Sequence, residues 1–298
     1  MAVLEPSGLG LQPTIATLLV EAEKMLADAG IDHPQLETAW IIEHVTGRSP
    51  LRIRVEPNHS VSAEDADSVR GLIARRVRRE PLQYLLGTQE FLGLEYRVTP
   101  AVLIPRPESV LLVEEAVARV AKGASPSVVD VGTGSGCLAV ALAKAIPGAA
   151  ITAIDLSVEA MAVARENMSR HGVGERIECL VGDLLSPLRR SGTLRRVDLI
   201  VSNPPYIAES DWGGLQPEVR DFEPRLALHG GPDGLNVYRR LMEQAPQHLN
   251  PGGFMLLEVG CGQAPGLCRL ADEQGFFRVD SIRPDEAGID RVVCLARI

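Results

Sequence analysis

Aromatic residues make up only 4% of the 298 positions, and basic residues are outnumbered, 30 Lys and Arg against 39 Asp and Glu. The net charge of -9 at pH 7, with a sequence pI near 5.3, argues against a protein whose main task is to coat nucleic-acid phosphates. Cysteine is sparse as well. Cys137, Cys179, Cys261, Cys268 and Cys294 form no C-x-x-C pair, which disfavours a zinc site and fits reduced thiols. No apolar run approaches the roughly 18 residues of a membrane span. The first two dozen residues hold Glu5, Glu21 and Glu23 but no Arg, unlike a secretory or transit leader. A cytoplasmic protein without a membrane partner is the expectation. The six histidines, His33, His44, His59, His171, His229 and His248, show no ligand or triad spacing, so neither a metal nor a histidine base is expected.

What is present is a hydrophobic content of 45%, enough for a sizeable core. Between Thr14 and Ala29 apolar residues recur at helical spacing (Ile15, Leu18, Leu19, Ala22, Met25, Leu26) ahead of Gly30. A second helix is predicted from His33-Pro34 to Gly47, and a third from Ser62, which opens an S-x-x-D capping variant, to about Arg79. The result is a small N-terminal helical bundle over residues 1–85. Its "ARRVRRE" run, Ala74 to Glu80, reads first as a solvated helical face and second as a contact for RNA or an acidic partner.

Residues 86–107 change character. "TQEFLGLEYRVTPAVLIPRPES" mixes aromatic and β-branched residues with Gly93 and three prolines, predicting a hairpin and an extended connector. Over 108–298 helix and strand patterns alternate. The strands are "SVVDV", "AITAID", "RIECLVG", "VDLIVS", "GFMLLEVG" and a final "DRVVCLARI"; the helices are 108–121, "LAVALAKAI", 157–170 and 234–248. Such alternation predicts an α/β fold, a doubly wound Rossmann-like sheet.

"DVGTGSG", Asp130 to Gly136, follows a strand and opens a helix. Gly132, Gly134 and Gly136, with Thr133 and Ser135 between them, permit a tight turn and close backbone approach to a ligand. A dinucleotide fingerprint would need glycine where Cys137 stands, and the acid two residues before the first glycine is typical of S-adenosylmethionine sites. Asp155, closing the second strand, can accept from both ribose hydroxyls of a nucleoside, which fits either cofactor. Asp183 alone would read as a turn residue. Following Asp155 and the glycine loop in order, it becomes a candidate acceptor for an adenine amino group, with Leu184 as apolar contact to the ring.

"VSNPPYI", Val201 to Ile207, places Asn203 at the end of the fourth strand. Asn-Pro alone reads as a turn. The whole constellation suits a clamp for a planar NH2: the Asn203 side-chain oxygen and the Pro204 carbonyl accept two N–H bonds, Pro204 and Pro205 stiffen the backbone, and Tyr206 can lie on the planar group. A planar amide nitrogen is a poor nucleophile, so an enzyme that methylates it must fix and aim it.

These segments together resemble the peptide-chain release factor glutamine methyltransferases over nearly the full length. "EPLQYLLGTQEFLGLEYRVTPAVLIPRPES" resembles that family's interdomain signature, "DVGTGSGCLAVALA" its cofactor loop, "VSNPPYI" its substrate motif, "FEPRLALHGGPDGLNVYRRL" the segment after it and "GIDRVV" its final strand. The resemblance implies a class I methyltransferase domain and S-adenosylmethionine as methyl donor. It further implies methylation at N5 of the glutamine in the Gly-Gly-Gln loop of class 1 release factors, which the N-terminal bundle contacts. Gly132 to Gly136, Asp155, Leu184 and Asn203 would hold the cofactor, and Asn203 to Tyr206 the glutamine. The chain departs from the family at Leu184, where an aromatic is common, in the "IPRPESV" ending, and at Cys261. A nucleic-acid amine methyltransferase using the same clamp would need a basic, aromatic-lined path for an extruded base, so no stable nucleic-acid partner is expected. A non-catalytic cofactor-binding module is the third reading, opposed by the intact Asn203 and glycine loop.

Overall fold

The computed structural model describes residues 12–190 and 193–298. Two compact units divide the chain, one ending at Leu86 and the other running from Gly87 to Ile298. In the first, α1 (Ile15–Asp28), α2 (Pro34–Thr46), α3 (Pro50–Val55), α4 (Ala63–Val77) and α5 (Leu82–Leu86) enclose Ile15, Leu18, Leu26, Ile41, Ile42 and Ile73. Two of the helix starts are written in hydroxyls. Thr14 and Thr17 cap each other reciprocally at α1, and the Ser62 hydroxyl accepts the Asp65 N–H at 3.0 Å at α4. The helices α3 and α5 add to the three that periodicity predicts; at six and five residues they are too short to display a period.

The arginine run serves this unit's own cohesion. Arg75 pairs with Glu80 at 2.5 Å, the buried Arg76 pairs with Glu37 at 2.6 Å, and Arg79 donates to the Gly30 carbonyl at 2.9 Å. Three of its four arginines are thus engaged within the unit, while Arg78 is exposed.

The second unit opens with β1 (Thr88–Phe91) and β2 (Leu94–Arg97), an antiparallel hairpin. Leu92 and Gly93 close it with φ of 52° and 73°, the left-handed pair that matches strand twist in a two-residue turn. Next come α6 (Val110–Arg119), β3 (Ser127–Val131), α7 (Cys137–Ala145), β4 (Ala150–Asp155), α8 (Val158–Arg170) and β5 (Ile177–Val181). A short ladder joins β6 (Arg189–Arg190) to β7 (Thr193–Leu194), ahead of β8 (Val197–Ser202) and β9 (Ile207–Ala208). Then follow α9 (Pro217–Phe222), α10 (Arg225–Leu228), β10 (His229–Gly231) and α11 (Asn236–His248). The chain finishes with β11 (Leu249–Glu258), α12 (Ala264–Gln274), β12 (Phe277–Pro284) and β13 (Asp290–Arg297).

Seven strands form one sheet in the order β12-β13-β11-β8-β3-β4-β5. The run from β11 to β5 is parallel, and β13 lies antiparallel between β11 and β12. Both faces are buried. Along β13, Val292 and Cys294 join the layer of α6, α7 and α8, while Val293 and Leu295 join that of α11 and α12. Burial on both sides is why such strands read as continuous apolar runs. The chain leaves β3 toward β4 and later returns on the other side as β8, so the direction of winding reverses between β3 and β8. That reversal opens a crevice at the carboxyl edge of the sheet.

Candidate active site

Register brings the motifs to this one edge. Val131 pairs with Ser202 and with Ile154, Asp155 with Val181, and Ser202 with Leu257. Gly132, Asp155, Gly182-Asp183, Asn203 and Glu258 therefore leave or close neighbouring strand ends, although they lie up to 126 residues apart in sequence. All of these but Glu258 line a cavity of about 510 Å³, within the range of small-molecule sites. Gly132, Thr133, Gly134, Ser135, Asp155, Asp183, Leu184, Asn203, Pro204 and Pro205 all line it.

Gly136 and Tyr206 do not line the cavity. Gly136, at φ 80°, starts α7 where a Cβ would come within 3.2 Å of the Ala164 Cα, so its role is to let α7 and α8 approach. Tyr206 packs against the layer of α11 and α12, and a Cβ on Gly260 would lie 3.0 Å from its Cδ2. Its carbonyl accepts from the Gln263 side chain at 2.8 Å. Burial, with the Glu258 carboxylate nearby, pushes the Tyr206 phenol up to about 12, so it stays protonated at neutral pH.

The glycine loop is held from three sides. Gly132 and Thr133 donate their N–H groups to the Ile154 carbonyl at 2.8 and 3.0 Å. The Asp155 carboxylate accepts from Gly134 N–H at 2.8 Å and Ser157 N–H at 2.9 Å; burial raises its pKa and these backbone donors oppose the rise. Asn167, fully buried on α8, donates to the Ser135 carbonyl at 2.8 Å and exchanges bonds with the Arg97 backbone at 2.7 and 2.9 Å. Beneath the loop, Asp130 accepts the Thr133 hydroxyl at 2.6 Å, and burial pushes its carboxyl up to about 7.

This geometry fits a nucleoside with an apolar base. Gly132 and Gly134 take φ of 74° and 55°, and a Cβ at Gly132 would meet no protein atom within 4 Å, so bare backbone faces the cavity. A carboxylate offers about four lone-pair sites, which leaves Asp155 acceptor capacity beyond its two backbone bonds. Ile154, Leu156 and Leu184 supply apolar wall. Leu184 sits at φ 50°, an uncommon conformation for leucine. Asp183 is already ion-paired with Arg240 of α11, which lines the same cavity.

Several residues here were not singled out from the sequence. Arg106 of the connector pairs at 2.5 Å with the buried Glu223, which also accepts the Ile104 N–H at 3.2 Å. This fixes the "IPRPES" and "FEPR" segments to each other as one wall. Ser109 accepts from Asn203 Nδ2 at 3.1 Å and donates to Glu258 at 2.6 Å.

Comparison with known proteins accounts for both units. Residues 17–87 match the PrmC N-terminal domain, and residues 108–214 match the methyltransferase small domain. A release factor glutamine methyltransferase from Geobacter sulfurreducens is 45% identical over 94% of this chain and 95% of its own length. The chain belongs to the release factor glutamine methyltransferase family. A member from Bordetella pertussis is 44% identical over 90% of this chain and 96% of its own length. A methyltransferase from Pyrococcus furiosus shares the fold at 18% identity, with a TM-score of 0.52 over 75% of this chain and 98% of its own. Membership gives a Rossmann-like methyltransferase whose methyl donor is S-adenosylmethionine. No helix among the described residues is long and apolar enough to cross a membrane.

Proposed function

We propose that this protein transfers a methyl group from S-adenosylmethionine to N5 of the glutamine in the Gly-Gly-Gln loop of class 1 release factors, in the cytoplasm. The observation that carries the reading is the adjacency of glycine loop and Asn203 at paired strand ends, opening into one cavity. Bound S-adenosylmethionine supplies an electrophilic methyl on a cationic sulfonium. Gly132 to Ser135 approach the donor with backbone, Asp155 takes its ribose hydroxyls, and Leu184 contacts its base. Asp183, placed on the same wall, reaches the base edge or holds Arg240 there.

Asn203 Oδ1 and the Pro204 carbonyl accept the two N–H bonds of the substrate amide and orient its nitrogen. Pro204 and Pro205 keep that geometry stiff. Fixing the reacting atoms is where rate is gained when the nucleophile is weak. The C–N bond forms as the C–S bond breaks, and the amide proton leaves to water. Tyr206, packed beneath Asn203's loop, supports the clamp from behind. The first unit docks the release factor, and no nucleic acid is held stably.

Mass spectrometry of a purified release factor, after incubation with this protein and S-adenosylmethionine, tests the reading. One added methyl on the loop glutamine is expected, and none on a factor lacking that glutamine. Methylation absent from a preparation shown to bind the donor would redirect the assignment to another planar NH2 substrate.

A further inference from the structure

A side-chain amide is nearly symmetric in shape but opposite in polarity at its two ends. Turned one way, Asn203 presents an acceptor to the cavity; turned by 180°, it presents two donors. Only the first can receive the N–H of a substrate amide. Asn203 Nδ2 donates to Ser109 Oγ at 3.1 Å, and Ser109 Oγ donates to Glu258 Oε2 at 2.6 Å. Both supporting side chains are almost fully enclosed, at 3% and 2% exposure. Asn203 Oδ1 accepts no hydrogen bond among the described residues.

An ionised carboxylate only accepts. With Glu258 charged, the single Ser109 hydroxyl hydrogen is committed to it. The Ser109 lone pairs then face Asn203, which must answer with its NH2. We propose that Glu258 and Ser109 are positioning residues that fix the polarity of the Asn203 amide, so that its oxygen is the end offered to the substrate. The inference rests on the reading of Asn203 as acceptor for the substrate amide.

A protonated Glu258 reverses the chain. Its O–H can donate to Ser109 Oγ, whose own hydrogen is then free for Asn203 Oδ1, and the NH2 turns to the cavity. Glu108, Arg106, Arg291, Tyr206, Tyr238 and Cys137 are the titratable or charged groups around Glu258. Burial and Glu108 raise its pKa, whereas the Ser109 bond, Arg291 and Arg106 lower it, leaving it up at about 7. The Tyr238 hydroxyl is spent on the Glu258 backbone carbonyl at 2.6 Å, so it does not compete for the carboxylate. Charged relay, and with it turnover, is gained as pH rises through neutrality.

The test is steady-state methylation of a purified release factor by the full chain, from pH 6 to pH 8.5, with donor affinity measured by calorimetry. Ser109→Ala is expected to lower kcat roughly five- to tenfold, the worth of about one hydrogen bond, with donor affinity unchanged. Ser109→Thr, which keeps the hydroxyl, recovers most of that loss. Glu258→Gln, able to donate or accept, lowers kcat and removes the acid-side fall of the profile. Wild-type kcat and pH profile in both Ser109→Ala and Glu258→Gln, beside an Asn203→Ala variant without turnover, would overturn the relay and leave the clamp standing. Turnover surviving in Asn203→Ala would overturn both. If Ser109→Ala fails to bind the donor through misfolding, the pH profile of Glu258→Gln decides alone.

Discussion

Asn167→Ala separates the support of the glycine loop from its contact with ligand. Asn167 is fully buried in α8 and makes three hydrogen bonds of 2.7, 2.8 and 2.9 Å, two to the Arg97 backbone and one to the Ser135 carbonyl. Alanine removes all three and adds no partner. The Arg97 N–H, the Arg97 carbonyl and the Ser135 carbonyl then lose bonds that are part-buried or buried, and each unmade bond costs about 1 kcal/mol. A loss of roughly 3 kcal/mol follows for the second unit, a drop of about 6–12 °C in its melting temperature at this size. Helix propensity works the other way, since alanine is the better helix former by up to about 0.7 kcal/mol. Scanning calorimetry with and without S-adenosylmethionine is the assay. Donor affinity should also fall, because Ser135 lines the cavity and its carbonyl is one of the loop's anchors. A melting temperature within 2 °C of the parent, with unchanged donor affinity, would show that Asn167 does not brace the loop.

Other consequences are directly measurable. Asp155→Ala should weaken S-adenosylmethionine binding by roughly 10- to 100-fold by calorimetry, the worth of charge-assisted bonds to ribose; unchanged affinity would remove Asp155 from the donor site. Gly136→Ala forces a Cβ to 3.2 Å from the Ala164 Cα at φ 80°, so it should lower the melting temperature by several degrees, and a neutral result would show that α7 and α8 can separate freely. Asp130→Asn should alter the pH dependence of stability. The buried carboxyl titrates near 7 when folded against an ordinary 3.8, so the unfolded chain ionises first and stability is lost as pH rises between those values. The variant's melting temperature should therefore gain on the parent's from pH 5 to pH 8, and parallel curves would mean Asp130 is not held protonated.

What the sequence made legible follows from what leaves a local trace. Strands β3, β4 and β8 run from Ser127, Ala150 and Val197 to the ends that their apolar runs predict, because both of their faces are buried. Edge strand β12 left only a short trace: Phe277 and Val279 alternate with Arg278 and Asp280, but a register shift between Val279 and Ser281 breaks the period and only Phe277 is buried. Helix α12 was hidden by Pro265 and Gly266 in its first turn, where proline is tolerated but reads as a loop. The glycine-loop and Asn203-Pro204-Pro205 stretches that line the cavity were legible for the same kind of reason, since glycines at a strand–helix turn and Asn-Pro-Pro at a strand end are local signatures. Their supports were not. Asn167 acts across 70 residues on Arg97, Glu223 across 117 on Arg106, and Glu258 across 149 on Ser109. Each is an ordinary polar residue in an apolar or helical stretch until the sheet closes and removes its water. A site of this kind is therefore divided: the cavity lining is set by short motifs, and the bonds that brace it are set by topology. Changes in the second group should alter rate and pH response while leaving the glycine loop and Asn203-Pro204-Pro205 in place.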